Sequence, residues 1–260
     1  QVLAPRVIAR SLALSGISAL FIVGNLPDIT VPIICGTGTH LELVEPICGA
    51  GNVGLIEAGL RHQIAIERSL RAEDLRISLV AHHIHWVAPR EPGYRNDAPF
   101  LLKVFQGEDD VTSQLGDQRE LMNRSIVNGY EPGAGFSSTT ARLAAENIIA
   151  LLGSQPCRLH VPSPNGLPGG YPVIVKNGVI TLDLPAEWPE IQAVETMQQA
   201  HKCDGIDKIG ADGSIYFNPE SVDIIRKEMG FSLPLVVSPT DLDSVAREQI
   251  AAARRSISSL

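Results

Sequence analysis

The sequence predicts an α/β fold in its first half that passes into an α+β fold in its second half. Helical and extended patterns alternate from residue 4 to residue 81, which is typical of strands covered by helices in a parallel sheet. Between residues 158 and 180, short apolar strands instead flank turn residues, including the Asn-Gly pair of a tight hairpin.

Each predicted element has a local signal in the sequence. Ile56, Leu60 and Ile64 recur every four residues, which predicts one apolar face on a helix over 54–71. Hydroxyl residues able to cap a helix open the stretch SSTTARLAAENIIALL. The predicted helices are 4–15, 28–35, 54–71, 137–152, 194–203, 218–230 and 238–257, and the predicted strands are 18–24, 74–81, 158–161 and 171–176. Residues 100–106 fit either state.

Composition narrows the class of protein. The formal net charge of −8 argues against a nucleic-acid-binding protein, which usually has a basic face. The longest apolar run, ALFIVG, is too short to span a bilayer. Four cysteines without a Cys-x-x-Cys pair predict free thiols in a reducing, cytoplasmic compartment. We therefore expect a small-molecule substrate, and neither a nucleic-acid nor a membrane partner.

The stretch ICGAGNVG has the spelling of a dinucleotide-binding fingerprint but lacks its setting. Gly49, Gly51 and Gly54 give G-x-G-x-x-G before a predicted helix. The preceding LELVEP is a poor buried strand, and the next strand ends in His82 and His83 where an acid should bind the ribose. We therefore expect the turn to direct the chain into a helix, with its glycines beside a cofactor, substrate or metal.

The order of these features resembles the lactate and malate dehydrogenase superfamily, which includes the family-four glycoside hydrolases. FIVGNLPDI is similar to the family's strand and NPxD segment, and LRISLVAHHIHW to the strand that ends in the active-site histidine. SSTTARLAAENIIALL is similar to the active-site helix, and RLHVPSPNGLPGGYPVIVKNGVI to the late antiparallel strands. The resemblance covers about residues 18–180, with NLPD in place of NPxD and without the family's N-terminal fingerprint region.

This resemblance implies the C-terminal part of a Rossmann-like parallel sheet followed by an α+β substrate domain. Residues 1–46 would be the remnant of a dinucleotide-binding domain, and residues 47–260 the catalytic domain. Because the chain begins with Gln1 rather than Met, we expect a further nucleotide-binding block upstream in the natural protein. The superfamily also implies a homo-oligomer.

His83 is the predicted acid/base residue. By resemblance it matches the family's catalytic position, where a histidine takes the proton of the substrate hydroxyl and returns it in reverse. Because side chains alternate along a strand, His83 and His85 are expected on one face and His82 on the other. The alternatives are a hydrogen-bonded structural histidine and an adventitious metal site.

Glu57, Arg61 and Asn25 are the predicted partners of His83. Glu57 and Arg61 lie four residues apart on one helix face, with Glu57 expected to orient His83 and Arg61 to bind a substrate carboxylate. The alternative interpretation of Glu57 and Arg61 is an ion pair on the protein surface. Asn25 and Asp28 follow a buried strand, where parallel sheets place ligands. Asn25 is expected to contact the substrate or the cofactor ribose, and Asp28 to cap the next helix.

Two further sets of residues complete the predicted site. Ser137 and Ser138 open a helix, whose N-terminus favours anionic substrate groups, although plain capping is the alternative. Cys48 and His83 occupy places similar to the metal-binding cysteine and histidine of the family-four glycoside hydrolases. A divalent metal on this pair is therefore one interpretation, and a buried free thiol is the other.

The leading hypothesis is an oxidoreductase that uses NAD or NADP and acts on a small hydroxy acid or a sugar-like hydroxyl. The second hypothesis is an NAD- and metal-dependent glycoside hydrolase of the family-four type. The third is a non-catalytic domain that binds a ligand or mediates oligomerisation.

Overall fold

A computed structural model describes residues 2–17, 19–24, 27–36, 47–90, 97–129 and 135–258. In these residues the helices are α1 Leu3–Ser15, α2 Pro27–Gly36, α3 Asn52–Arg68, α4 Ile84–Val87, α5 Gln118–Asn128, α6 Gly135–Leu152, α7 Glu190–Cys203, α8 Pro219–Met229 and α9 Leu242–Ser258. The strands are β1 Phe21–Val23, β2 Ile47–Gly49, β3 Leu75–Val80, β4 Leu101–Gln106, β5 Asp109–Asp110, β6 Cys157–Pro162, β7 Gly170–Lys176, β8 Val179–Leu182, β9 Ile206–Ile209, β10 Ile215–Phe217 and β11 Val236–Val237. None of the described helices is both long and apolar enough to cross a membrane.

Strands β1 and β2 form a parallel pair. Phe21 pairs with Ile47 and Val23 with Gly49, and each strand leads into a helix, α2 or α3. The carboxyl ends of both strands therefore lie at one edge, together with the N-termini of both helices. This arrangement confirms the predicted α/β class and its Rossmann-like parallel element, while the division of the chain at residue 46 stays a prediction.

Two antiparallel sheets follow, and one bridge links them. The first has the order β3-β4-β5 and the second β6-β7-β8, and Ala81 at the end of β3 pairs with Gly170 at the start of β7. Residues 100–106, which fitted two states, are mainly strand. Asn177 and Gly178 have φ values of 50° and 76°, which confirms the Asn-Gly hairpin between β7 and β8.

Helix α3 packs between α5, α6 and the two antiparallel sheets. Ile56, Leu60 and Ile64 are buried, which confirms the apolar face that their spacing predicts. Helix α3 follows β2 of the parallel pair directly in the chain. The turn between β2 and α3, at Gly51, therefore packs against Thr140 of the later helix α6.

A third antiparallel sheet, β11-β10-β9, packs with α8 and α9 at the end of the chain. The sequence did not predict these strands because each has only two to four residues. Ile206, Ile215 and Phe231 share a buried cluster with Ile33 of α2. This C-terminal part therefore covers α2, the helix that begins at the edge of the parallel pair.

Candidate functional site

The three histidines after β3 are placed by a turn. The pairing of β3 with β4 ends at Val80, and His83 has helical angles, φ −58° and ψ −23°, before α4. The rings of His82 and His83 therefore lie side by side, with centroids 4.2 Å apart, while His85 contacts Phe100. The expected strand alternation was wrong because the strand ends before the histidines.

Asp28 fixes the position of His83. Its Oδ2 accepts the backbone N–H of His83 at 2.6 Å and lies 3.1 Å from the ring Nδ1. The same oxygen accepts a longer bond of 3.4 Å from the Asn52 side chain at the start of α3. Asp28 was expected to cap α2, but its carboxylate instead joins the first turns of α2 and α3 to the histidine turn.

A second carboxylate lies at the other nitrogen of His83. Nε2 is 3.2 Å from Oδ2 of Asp204, the residue that follows α7. Burial opposes a charge on the imidazole, but the hydrogen bonds to Asp204 and Asp28 outweigh it and raise the pKa of His83 to about 10. At neutral pH His83 is therefore an imidazolium between two carboxylates.

His82 and His201 form a neutral pair behind this centre. The backbone N–H of Ile84 donates to Nδ1 of His82, so the proton of His82 is on Nε2 and points to Nδ1 of His201 at 3.2 Å. His201 then carries its own proton on Nε2, which is buried and has no partner among the described residues. Burial keeps the pKa of His82 well below its usual value and lowers that of His201 to about 4.

His85 has a structural role. Its Nε2 donates to the carbonyl oxygen of Ala98 at 3.1 Å, and its Nδ1 accepts the backbone N–H of His82 at 3.1 Å. Burial lowers the pKa of His85 to about 4. Both ring nitrogens are therefore used in holding the turn, as in a hydrogen-bonded structural histidine.

The Asp28 carboxylate leaves one oxygen without a partner. Oδ1 is buried and makes no hydrogen bond in the described part of the chain. An unsatisfied buried polar group costs about 1–3 kcal/mol, more when it is charged. Ligand atoms of Asp28, His82 and His83 lie within 4.8 Å of one another, so these residues form a group able to hold a divalent cation.

Cys48 is not a member of that group. It is fully buried at the centre of β2, and burial raises the pKa of its thiol to about 12. The ligand atoms that lie together come instead from Asp28, His82 and His83, and the pair of Cys48 and His83 stays a prediction.

Glu57 and Arg61 lie at a different place from His83. Nε of Arg61 donates to Glu57 at 2.8 Å, and both line a cavity of about 570 Å³ with Arg158 and His160. The carboxylates on His83 are those of Asp28 and Asp204, so the expected contact of Glu57 with His83 was wrong. The physical reason is that the side of α3 bearing this pair faces β6 and α6.

The glycines of the turn before α3 lie in close packing contacts. Gly51 has φ 94°, and a Cβ there would lie 3.3 Å from the methyl group of Thr140 on α6. A Cβ on Gly54 would lie 3.3 Å from the carbonyl oxygen of His160 and from Leu143. These glycines allow close packing of α3 against α6 and β6. Contact of Gly49 or Gly51 with a cofactor stays a prediction.

The roles of the other predicted contact residues stay predictions. Ser137 and Ser138 are exposed in the first turn of α6, and Gly49 ends β2 in a buried position. Asn25 lies outside the described residues. Asp204, at the second ring nitrogen of His83, and His201, beside His82, are absent from the sequence prediction. A single histidine and a single aspartate near the end of a helix have no specific sequence signal.

Comparisons with known proteins agree with this architecture. No protein-family model matches the sequence, and no curated protein matches it either. Among solved structures, malate dehydrogenase from Plasmodium falciparum has a TM-score of 0.52 at 16% identity, covering 77% of this chain and 70% of that chain. The same protein in complex with NADH gives 0.50 at 16% identity, covering 79% and 72%.

A lactate dehydrogenase gives a similar result. The minor L-lactate dehydrogenase from Enterococcus mundtii has a TM-score of 0.50 at 14% identity, covering 78% of this chain and 67% of that chain. At such identities the likeness shows the fold alone. The chain has a lactate/malate dehydrogenase-like fold, which confirms the resemblance seen in the order of sequence features.

The charge on His83 predicts a specific dependence of stability on pH. The pKa of His83 is raised in the folded state from about 6.5 to about 10, so its stabilising contribution is complete below about pH 6.5. That contribution is lost as pH rises towards 10, by on the order of 1 kcal/mol per pH unit. Urea unfolding of wild type and of His83→Asn measures the stabilising contribution of His83. This contribution is the difference between the free energies of unfolding of the two proteins.

The difference cancels the contributions of His82, His85 and His201, which titrate at lower pH in both proteins. A difference that stays constant or grows between about pH 6.5 and 10 contradicts the paired imidazolium.

Proposed function

We propose that the chain carries the proton-transfer centre of an oxidoreductase of the lactate/malate dehydrogenase type. In this proposal His83 exchanges a proton with the oxygen of a hydroxyl or carbonyl substrate. The observation that carries it is the burial of His83 between Asp28 and Asp204, beside the edge where the parallel strands end. Ligands of open parallel sheets bind at that edge.

Each carboxylate has its own task. Asp28 is fully buried and bonds both the backbone and the ring of His83, so it fixes the ring orientation and stabilises the imidazolium. The Asp204 side chain is 25% exposed and lies at Nε2, the atom that a substrate oxygen must reach. A substrate oxygen takes the place of Asp204 there, accepts the proton from Nε2, and returns it in the reverse direction.

The surroundings of His83 favour a neutral hydroxyl or carbonyl compound over a hydroxy acid. Two carboxylates against one imidazolium leave a net negative charge at the site. Arg61, the expected partner of a substrate carboxylate, is paired with Glu57 at another cavity. A substrate carboxylate would therefore meet repulsion, whereas a sugar-like hydroxyl would meet hydrogen-bonding groups.

NAD or NADP is the proposed redox partner, and its support is the fold. One solved structure of similar fold is a malate dehydrogenase in complex with NADH. A nicotinamide nucleotide supplies or accepts hydride at carbon when bound. We derive only the proton transfer from the residues of this chain. A homo-oligomer is proposed on the same basis.

Replacement of His83 tests the acid/base role. His83→Asn keeps an amide near Nδ1 for Asp28 but removes the Nε2 proton, so turnover is expected to fall by about 10²–10⁴-fold. Reduction of aldoses, ketoses and 2-oxo acids by NADH or NADPH is followed by nicotinamide absorbance. The matched control is His62→Asn, on an exposed histidine of α3, which is expected to retain activity.

The same assay separates the possible results. Faster turnover of neutral carbonyl compounds than of 2-oxo acids supports the proposed substrate class. Equal turnover by wild type and His83→Asn contradicts the role of His83, and no turnover by wild type with any of these substrates contradicts the oxidoreductase.

A second candidate function is metal-assisted chemistry at the same centre, favoured by Oδ1 of Asp28, which has no partner within the part of the chain that the structure describes. Asp28, His82 and His83 would hold the cation, and a bound cation would polarise a substrate oxygen. Binding would require His83 to lose its proton and one of its carboxylate partners. The donor set of one carboxylate and two imidazoles suits Zn²⁺, Mn²⁺ or Co²⁺.

Titration with Co²⁺ and Zn²⁺ tests this candidate by absorbance and calorimetry. Asp28→Asn is expected to weaken binding by about tenfold or more, since a charged ligand is lost, whereas Cys48→Ala is expected to leave it unchanged. If Cys48→Ala loses metal binding while Asp28→Asn keeps it, the metal is instead held by Cys48 and His83. Absence of saturable binding by wild type overturns the metal candidate and leaves the proton-transfer proposal standing.

A further inference from the structure

A second cavity lies where α2, α7, β9 and the loop between β6 and β7 meet. Its volume is about 450 Å³, and its polar side chains are those of Asn165, Gln198, His201 and Lys208. None of the residues that hold His83 lines it. Cavities of this size accept small metabolites.

His201 gives this cavity a buried donor. The ring is 2% exposed, and its Nδ1 edge is occupied by His82. The opposite edge carries the Nε2 proton, which has no acceptor among the described residues, and His201 is one of the residues that form the cavity wall. A protein seldom buries an N–H group without an acceptor, so a ligand oxygen at this position is the expected partner.

Lys208 gives the same cavity a cation. Its side chain is exposed on β9, and its ammonium lies 4.4 Å from the centre of the Tyr216 ring. In the described part of the chain no carboxylate forms a salt bridge with it. An ammonium beside an N–H donor is the combination that binds oxyanions.

The walls between these two groups are held by close backbone contacts. Gly166 has φ 88°, and a Cβ there would lie 2.9 Å from the side chain of Cys35 on α2. A Cβ on Gly36 would lie 2.3 Å from the backbone nitrogen of Gly213, in the turn between β9 and β10. The cavity is thus formed before a ligand arrives, which reduces the entropy cost of binding.

We propose that this cavity binds the oxyanion group of a small metabolite, a carboxylate or a phosphate, between His201 Nε2–H and Lys208 Nζ. This site is separate from the proton-transfer centre, although His82 contacts both His201 and His83.

Binding of inorganic phosphate and of acetate to the full chain tests the proposal, with sodium chloride at matched ionic strength as the blank. Calorimetry gives the affinity, and the imidazole signals of His201 in ¹⁵N NMR give the place of binding. His201→Asn retains an acceptor for His82 but is too short to place a donor at the position of Nε2, and Lys208→Met removes the charge but keeps the length of the side chain. Each is expected to raise Kd by about tenfold or more.

Lys202→Met on α7 is the matched control, since Lys202 is also an exposed lysine but does not line the cavity. It is expected to bind like wild type. Saturation by phosphate alone assigns a phosphorylated ligand, and saturation by acetate alone assigns a carboxylate. If His201→Asn fails to fold, the proposal is tested by the response of the wild-type His201 signals to anion binding and by the affinity of Lys208→Met.

Three results would overturn the site. These are no saturable binding of either anion, binding that leaves the His201 signals unmoved, and equal affinity in Lys208→Met and Lys202→Met. Because the His83 assay uses different residues, failure here leaves the proposed function untouched, and the reverse holds as well.

Discussion

The buried charge of His83 is the constraint on which the arrangement of the site depends. An imidazolium removed from water is costly unless carboxylates and hydrogen bonds compensate it, and here Asp28 and Asp204 do so from both sides of the ring. Loss of one partner from a buried ion pair typically costs about 3–5 kcal/mol. The three segments that supply these groups are therefore held together by one electrostatic requirement.

These segments come from distant parts of the chain. Asp28 begins α2, His83 begins the turn after β3, and Asp204 follows α7. The C-terminal sheet packs on α2 through Ile33, so the same part of the chain that covers α2 also anchors the end of α7. The C-terminal sheet therefore helps to position both carboxylates on His83. Oδ1 of Asp28 has no hydrogen-bond partner among the described residues, and this atom and the excess negative charge suit a proton donor or a cation.

The sequence predicted the elements of this fold better than their contacts. The four-residue spacing of α3, the Asn-Gly hairpin and the order of helices and strands are local features, and all appear in the structure. His83 was chosen by resemblance, as the histidine that follows a strand, and its catalytic role stays a prediction. Its partners were not predicted, because a contact between His83 and Asp204 joins residues 121 positions apart and leaves no periodic signal. Glu57 was chosen for its spacing from Arg61, but spacing gives the shared face of a helix and not what that face contacts.

Histidine-selective ¹⁵N NMR of the full chain detects the buried imidazolium itself, because ring nitrogens report protonation individually. At about pH 8 we expect both nitrogens of His83 to carry protons, whereas His82, His85 and His201 each carry one. A His83 ring with a single proton at that pH would contradict the buried imidazolium and, with it, the proposed acid/base centre.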